Sequence, residues 1–351
     1  MVKIKISALV YIVLAIAFIM LAPQFFDGYG IGILNQIAIY ITLAVSYNLI
    51  NGVTGQFSLE PNGFIAVGAY AAALVLLSSE QKLDLFSLED PNPIILALHT
   101  NSFILALLVA GFSACVLSLI LAFAVFRVRG DYLAIVTLGF GIIIQKLAIN
   151  FPSWTNGSMG LNGIPLLSNL YWTGGVAIIS VILILNLVYS KFGRAMQAIR
   201  DDEDAASAMG VNTFWTKTLA FGTSAFLEGV GGGLLVCLLA SVSPEQFGFE
   251  FTFMLLIIIV LGGLGSTTGA ILGAILIIGG REWLRFLDEM QIKIDFLGID
   301  MGSMPGLRMV VFSLILILVM LFARRGIFGD RELNSFFKRP SKKDLNNDFG
   351  A

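Results

Sequence analysis

Apolar residues run through this chain in long blocks, broken by polar residues at only a few places. Blocks nearly free of charge lie at residues 6–21, 31–50, 64–77, 103–126, 132–149, 171–189, 218–239, 251–261, 269–283 and 307–322. A helix of ~20 apolar residues crosses the hydrocarbon core of a bilayer, so the pattern predicts an all-α polytopic membrane protein with about ten transmembrane helices. Lys3 and Lys5 before the first block resemble the start of a signal peptide. The Pro23-Gln24-Phe25 stretch that follows is a poor cleavage site, so the block is expected to stay as the first span. Two apolar regions are interrupted by glycine and small polar residues. One runs from Gly52 through Gly55, Gln56 and Ser58 to Asn62-Gly63; the other is Gly262-Gly-Leu-Gly-Ser-Thr-Thr-Gly. Between them lies a charged island, 191–212.

Composition supports the membrane reading. The chain of 351 residues is 57% hydrophobic and 13% charged, with a mean hydropathy of +0.90, whereas soluble domains carry about 25% charged residues. Residues 1–329 read as one transmembrane domain and 330–351 as a polar, basic tail. Basic residues gather at Lys3/Lys5, at Arg127/Arg129, on the island (Lys191, Arg194, Arg200) and in the tail. An even number of spans puts all four on one side, which the positive-inside rule makes the cytoplasm, with both termini. Arg281, Arg285 and Lys293 fall on the opposite side and break the pattern. Tyr171, Trp154 and Trp172 are expected at the outer interface and Trp215 at the inner one.

Candidate chemistry is sparse. A single histidine, His99, makes no metal site, and Cys115 and Cys237 lie in apolar runs as small core residues. There is no G-x-x-x-x-G-K-[ST] loop and no G-x-S-x-G elbow. No cofactor is expected on the chain itself, and nothing suggests nucleic acid. The island is the exception. Asp201 or Asp202 can cap a short helix running to Met209, and Gly210 can stop it. Ala205, Ala208 and Met209 give that helix a small apolar face suited to docking on another protein; the alternative is a helix lying on the bilayer.

The paired glycine interruptions suggest repeated halves around a central path lined by broken helices. Small residues four apart also let helices approach closely, as at Gly229/Gly233 and Gly265/Gly269/Gly273. Glu228 and Lys146 fall inside spans, where ionisable groups are costly and face a cavity or each other. A Glu228–Lys146 pair would neutralise both; otherwise one or both sit near a span end and reach water.

Several segments, taken in order, resemble the M-type permease family of the high-affinity branched-chain amino acid ABC importers. They are Asn48-Leu-Ile-Asn-Gly-Val-Thr-Gly-Gln-Phe-Ser-Leu, Gly68-Ala-Tyr-Ala-Ala-Ala, Arg129-Gly-Asp-Tyr-Leu-Ala-Ile-Val-Thr-Leu-Gly-Phe-Gly, Asn156-Gly-Ser-Met-Gly-Leu-Asn-Gly-Ile-Pro, Ser243-Pro-Glu-Gln-Phe, Val260-Leu-Gly-Gly-Leu-Gly-Ser, Gly306-Leu-Arg-Met-Val-Val-Phe and Arg325-Gly-Ile-Phe-Gly. The resemblance implies an ABC-importer permease fold with two pseudo-repeated halves in a bacterial inner membrane. It implies a second permease of similar fold, two ATPase subunits carrying ATP and magnesium, and an extracytoplasmic binding protein. It makes 191–212 the coupling loop, with Gly193, Arg194, Ala198, Arg200, Asp201, Glu203, Ala205, Ala206, Met209 and Gly210 as the coupling residues. Small or neutral polar residues at Gly55, Gln56, Ser58, Asn62, Thr137, Gly139, Gly262, Gly263 and Ser266 are expected along the substrate path.

The chain departs from the family pattern at Glu60-Pro61, where the family usually has Gly-His, and at Asn62. It departs again at Ile142 and Gln145, where Glu and Arg are usual, and at Glu228, where a small residue is usual. These departures bear on the solute. Two alternatives remain: a urea or short-amide permease of the same superfamily, or an ion-coupled transporter using Glu60, Glu228 and Lys146.

Overall fold

The computed structural model describes residues 6–126, 132–285, 291–294, 299–303 and 310–314, and the single positions 317, 321, 326, 327 and 329. The Arg127/Arg129/Asp131 turn and the 330–351 tail lie outside the described residues, as does most of the span expected at 307–322.

The helices in chain order are α1 (Ile6–Phe25), α2 (Gly28–Asn48), α3 (Pro61–Leu76), α4 (Ser79–Leu85), α5 (Pro93–Ala97), α6 (Phe103–Val125), α7 (Tyr132–Asn150), α8 (Pro152–Thr155), α9 (Leu170–Val188), α10 (Lys191–Asp201), α11 (Glu203–Ala208), α12 (Thr213–Leu239), α13 (Phe249–Gly262), α14 (Thr267–Ala274) and α15 (Gly280–Trp283). A π-helical turn, Leu49–Val53, extends α2, and a second, Ile275–Gly279, joins α14 to α15. Two 3-10 turns, Gly157–Met159 and Pro244–Phe247, lie among the loops, and there are two short antiparallel strand pairs: Leu161–Asn162 with Ser241–Val242, and Gln291–Ile294 with Ile299–Ser303.

Among the described residues, five helical stretches are long and apolar enough to cross a membrane: Gly28–Val53, Phe103–Val125, Tyr132–Asn150, Leu170–Val188 and Thr213–Leu239. A sixth is α3 if counted with α4, which bends away from it by 117°, and Ile12–Phe25 and Phe249–Gly262 are shorter apolar helices. Side-chain caps set where several of these begin. Asp27, Ser102, Asn169 and Asn212 each accept from a backbone N–H in the first turn of α2, α6, α9 and α12, meeting donors that a helix start leaves unpaired.

Helix α12 is the most enclosed of the long spans. It packs against α2, α3 and α6, and glycine allows the close crossings. A Cβ on Gly68 of α3 would stand 2.3 Å from the Gly229 carbonyl oxygen, and one on Gly232 would stand 2.2 Å from that of Ile65. The helices α13 and α14 cross in the same way, Gly262 against Gly269 and Gly273 against Ile258. Close packing, one of the two readings of the glycine spacing, therefore accounts for Gly229, Gly262, Gly269 and Gly273.

The direction of the bundle follows from its ends. The π-turn after α2 and the Gly263–Ser266 turn between α13 and α14 meet at the end that carries the island. At the opposite end Tyr29 donates to Glu282 at 2.7 Å, and Arg285 donates to the Tyr29 hydroxyl at 2.8 Å. The Arg285 guanidinium also lies over the Tyr29 ring, 5.2 Å from its centre. One of the basic residues that broke the charge asymmetry thus sits in a polar cluster with an acid.

Candidate functional site

The island folds as two helices rather than one. Ser190 caps α10 by accepting from the N–H groups of Phe192 and Gly193. Asp202 caps α11 by accepting from Asp204 and Ala205, each at 2.9 Å. Of the two candidate caps, Asp202 is the one used. Gly210 takes φ of +84° beyond α11, the left-handed stop expected of it.

Each island helix has an inner and an outer face. Gly193, Met196, Ile199 and Ala206 are buried against the bundle. A Cβ on Gly193 would stand 2.0 Å from the Val188 carbonyl oxygen, so this glycine lets α10 turn tightly off α9. Gly193 and Ala206, expected among the coupling residues, therefore face their own bundle. Arg194, Asp201, Asp204, Ala205, Ala208 and Met209 are exposed, Met209 to 86%, while Ala198 is half-buried. Behind them, Lys217 of α12 reaches Glu203 at 2.7 Å and fastens α11 to the bundle.

Arg200 links the island to both glycine interruptions. Its guanidinium donates to the Gly52 carbonyl at 3.4 Å and to the Asp201 carboxylate at 3.4 Å. Gly55, at φ +69°, lies under its aliphatic stem. The interruptions also touch each other directly. A Cβ on Gly52 would stand 2.1 Å from the Gly265 nitrogen. Asn48 accepts from that nitrogen at 2.9 Å and donates to the Ser266 carbonyl at 3.2 Å. Gly263 meets the backbone of Gly326 and Gly329, and the Ile327 N–H donates to the Leu261 carbonyl at 2.9 Å. Gly262, Gly263 and Ser266, expected along a path, are engaged in these helix contacts.

The remaining expected path residues surround a fold-back, 54–60, that returns the chain from the π-turn into the bundle. The Gln56 N–H donates to Ile50 at 3.1 Å, and the Asn51 side chain accepts from the Ser58 N–H at 3.0 Å. The Tyr47 hydroxyl donates to the Ser58 carbonyl at 2.7 Å. Thr137 accepts from the Leu59 N–H at 2.9 Å, and the Asn62 amide donates to the Phe247 carbonyl at 3.1 Å. Gly139 of α7 has open space at its Cβ position.

At the inner end of the fold-back sits Glu60, just before Pro61 opens α3. Glu60 and Glu228 of α12 are both wholly buried. The Glu228–Lys146 pair expected as one possibility does not form. Lys146 is exposed on α7, whereas Glu228 is buried and hydrogen-bonded to Ser224 at 3.0 Å. Lys146 can extend away from the bundle, whereas α12's packing against α2, α3 and α6 encloses Glu228.

Residues 30–320 match the family described as branched-chain amino acid transport system / permease component. The chain belongs to this permease family. The permease is 31% identical over 325 residues to the high-affinity branched-chain amino acid transport system permease protein LivM of Escherichia coli K12, covering 83% of this chain and 71% of that protein. It is 25% identical over 336 residues to the corresponding protein LivH of Salmonella typhimurium, covering 90% of this chain and 98% of that one. A shorter likeness, 31% over 121 residues and 32% of each chain, joins it to the xylose transport system permease protein XylH of Haemophilus influenzae. No solved structure matches. The chain is thus a multi-pass membrane permease subunit.

Sequence reasoning about the permease missed Tyr47, Asn48, Ser224 and Lys217 as organisers of the site. Asn48 and Ser224 carried a usable signal, because polar side chains inside apolar spans need partners on neighbouring helices. Lys217 carried little, since a lysine at a span end reads as an interface anchor.

Proposed function

We propose that this permease is one of two membrane-spanning subunits of an ATP-driven importer for branched-chain or related small amino acids. A binding protein outside the cytoplasmic membrane hands over the solute, and a second permease of similar fold completes the path. Two ATPase subunits bind ATP and magnesium. The island end faces the cytoplasm, as do both termini, in a bacterial inner membrane. The exposed face of α11 seats on one ATPase subunit.

The observation that carries this reading is the two-sidedness of the island. An element that passes force between subunits must be open toward its partner and rigid toward its own body. Met209 and Ala205 are open, while the Lys217–Glu203 pair and the Arg200 contacts tie the back of the island to α12 and to both glycine turns. The names LivM and LivH denote two permease proteins for branched-chain amino acid transport, which supports a second permease as partner. The family match and the likeness to LivM and LivH support the importer reading over an ion-coupled transporter using Glu60, Glu228 and Lys146.

The test is capture of the tagged chain from mild detergent, wild type against Ala205→Arg/Met209→Asp. Both positions are exposed, so the variant keeps its fold. A P-loop ATPase should copurify with wild type and be lost from the variant. Equal recovery would move the docking site elsewhere, and no ATPase with intact wild type would overturn the ATP-driven reading.

A further inference from the structure

Two of the basic residues that break the charge asymmetry, Arg281 and Arg285, lie at the end of the permease opposite the island. Arg285 is held by Tyr29. Arg281 forms no hydrogen bond or ion pair among the described residues. It is exposed at the mouth of a cavity of about 260 Å³ between α2, α12, α13 and α15. The cavity has a polar side and an apolar side. Arg281 and Glu282 of α15 and Gln36 and Tyr40 of α2 form the polar side, and Gln246 of the Pro244–Phe247 turn adds an amide. Leu235 of α12, Phe251 and Met254 of α13 and Ile278 of the second π-turn form the apolar side.

The walls are built by packing. The Tyr40 ring lies against Phe251, with centroids 5.9 Å apart. A Cβ on Gly279 would stand 3.7 Å from Ile37, so the second π-turn rests on α2. That turn ends directly before α15; π-turns inside helices are frequent at functional sites. Gln36 and Tyr40 are one helical turn apart and share a face of α2. They lie about 12 and 18 Å along the helix from its start, well inside the bundle. Polar side chains inside apolar spans find partners on neighbouring helices. Yet neither the Gln36 amide nor the Tyr40 hydroxyl has a hydrogen bond among the described residues. A guanidinium binds a carboxylate through two parallel N–H bonds. Glu282, whose Oε2 accepts from Tyr29, sets an acid beside Arg281, which favours a zwitterion over a bare anion. The volume lies just below the ~300 Å³ at which pockets for larger ligands begin, so a small solute fits.

We propose that this cavity is a receiving site for one aliphatic α-amino acid at the outer end of the permease. The carboxylate sits on Arg281, and the Gln36 amide and Tyr40 hydroxyl complete the polar wall. The side chain covers Leu235, Phe251 and Met254, and the ammonium faces Glu282. The assignment rests on the importer reading for the direction of transport and deepens it, because it gives the solute a first site once the binding protein releases it. It also gives Arg281 a reason to lie on the side where positive charge is disfavoured.

The test is the thermal unfolding midpoint of the full chain in lipid nanodiscs, titrated with L-leucine. Binding to the folded state alone raises the midpoint. L-Leucine should raise that of wild type. Isoamylamine, which keeps the side chain and the ammonium but has no carboxylate, should not. The α-keto acid of leucine, which lacks the ammonium, should act only at higher concentration. Arg281→Gln should need roughly ten- to hundredfold more L-leucine for the same rise, because a hydrogen bond to a charged group is lost. Arg281 is exposed, so this variant should match the wild-type midpoint without solute; a fall there would make the arginine structural and overturn the assignment. Tyr40→Phe, which keeps the ring against Phe251, should weaken the response as well. A wild-type midpoint unmoved by L-leucine at any soluble concentration overturns the proposal. So does a rise of equal size in Arg281→Gln, or an equal response to the amine or to the keto acid. None of these measurements needs an ATPase. A leucine response without ATPase capture would sink the importer reading and leave the site, and capture without a response would do the reverse.

Discussion

The side chain of Arg200 lies directly on Gly55: a Cβ on the glycine would stand 2.3 Å from the arginine Cγ and 2.9 Å from its Cβ. This contact joins the island to the fold-back by packing, and the Arg200–Gly52 hydrogen bond joins it to the π-turn before it. Gly55 also has φ of +69°, a region in which an L side chain costs roughly 1–2 kcal/mol. Gly55→Ala should therefore lower the unfolding midpoint and push Arg200 away. In reconstituted vesicles the variant should keep its ATPase partner while ATP-driven uptake drops. Unchanged uptake by Gly55→Ala would show that the contact carries no motion.

Gly52 tests the seam between the two interruptions. Its Cβ would meet the Gly265 nitrogen at 2.1 Å and Asn48 Oδ1 at 2.3 Å. The nitrogen belongs to the backbone and cannot swing aside. Overpacking of this kind costs about 1–3 kcal/mol, so Gly52→Ala should lower the midpoint and the yield of folded protein. Gly139→Ala is the matched control, because nothing lies within 4 Å of its Cβ position. Alanine there should be neutral, or stabilising by roughly 0.5–1 kcal/mol as in other helix interiors. Equal loss at the two positions would show that the seam is loose.

The contrast between these glycines marks what could be read from the chain alone. Apolar blocks set by the cost of exposing backbone in lipid predict α2, α6, α7, α9 and α12 nearly in place. Local signals also sufficed for the island, because Asp202 and Gly210 act within a few residues of themselves. The role of Gly52 and Gly55 was not legible in the same way. A glycine in a turn and a glycine under another side chain look alike until the chain has folded, and Arg200 is separated from Gly52 by 148 positions. The Glu228–Lys146 pairing failed for a related reason. Two opposite charges within spans suggest a pair, but only packing decides which helix face each occupies, and α7 turns Lys146 outward.

Replacing Lys146 should therefore change little. Lys146→Ala is expected to fall within about 0.5 kcal/mol of wild type, as for other exposed positions. Joint reversal, Lys146→Glu/Glu228→Lys, should be no more stable than Glu228→Lys alone, because the two groups are not partners. Rescue by the joint reversal, seen as recovered folded protein on size exclusion, would contradict the arrangement of α7 and α12.

The Lys217–Glu203 pair should be asymmetric. Lys217 is the deeper partner, with 10% of its side chain exposed against 29% for Glu203. Removing the acid leaves a largely buried ammonium, whereas removing the lysine leaves a carboxylate that can turn to water. A hydrogen bond to a charged group contributes ~1.5–3 kcal/mol. Glu203→Gln should cost an amount in that range and Lys217→Met less. Both should weaken ATPase capture, since both loosen α11 from its base. Stronger destabilisation by Lys217→Met than by Glu203→Gln would reverse the assignment of which partner is held in place.

Lys82 offers a prediction at the opposite end of the molecule. In α4, beyond the bend from α3, its ammonium donates to the Ile95 carbonyl at 2.8 Å and to that of Leu98, pinning α4 to α5. Lys82→Met should leave both carbonyls short of a donor and cost about 1–3 kcal/mol at neutral pH. Burial also holds the lysine below its usual titration range. The sign follows from proton counting: between the folded value and the ordinary value of about 10.4 the unfolded chain binds more protons, so stability rises with pH across that window. Below the folded value both states are charged, and above the ordinary value both are neutral, so the contribution is flat on either side. The wild-type midpoint, relative to Lys82→Met, should climb as pH approaches about 10.4 from below. A difference between the two that stays constant across this range would show that Lys82 titrates as it does in water and that its two carbonyl bonds do not bury it.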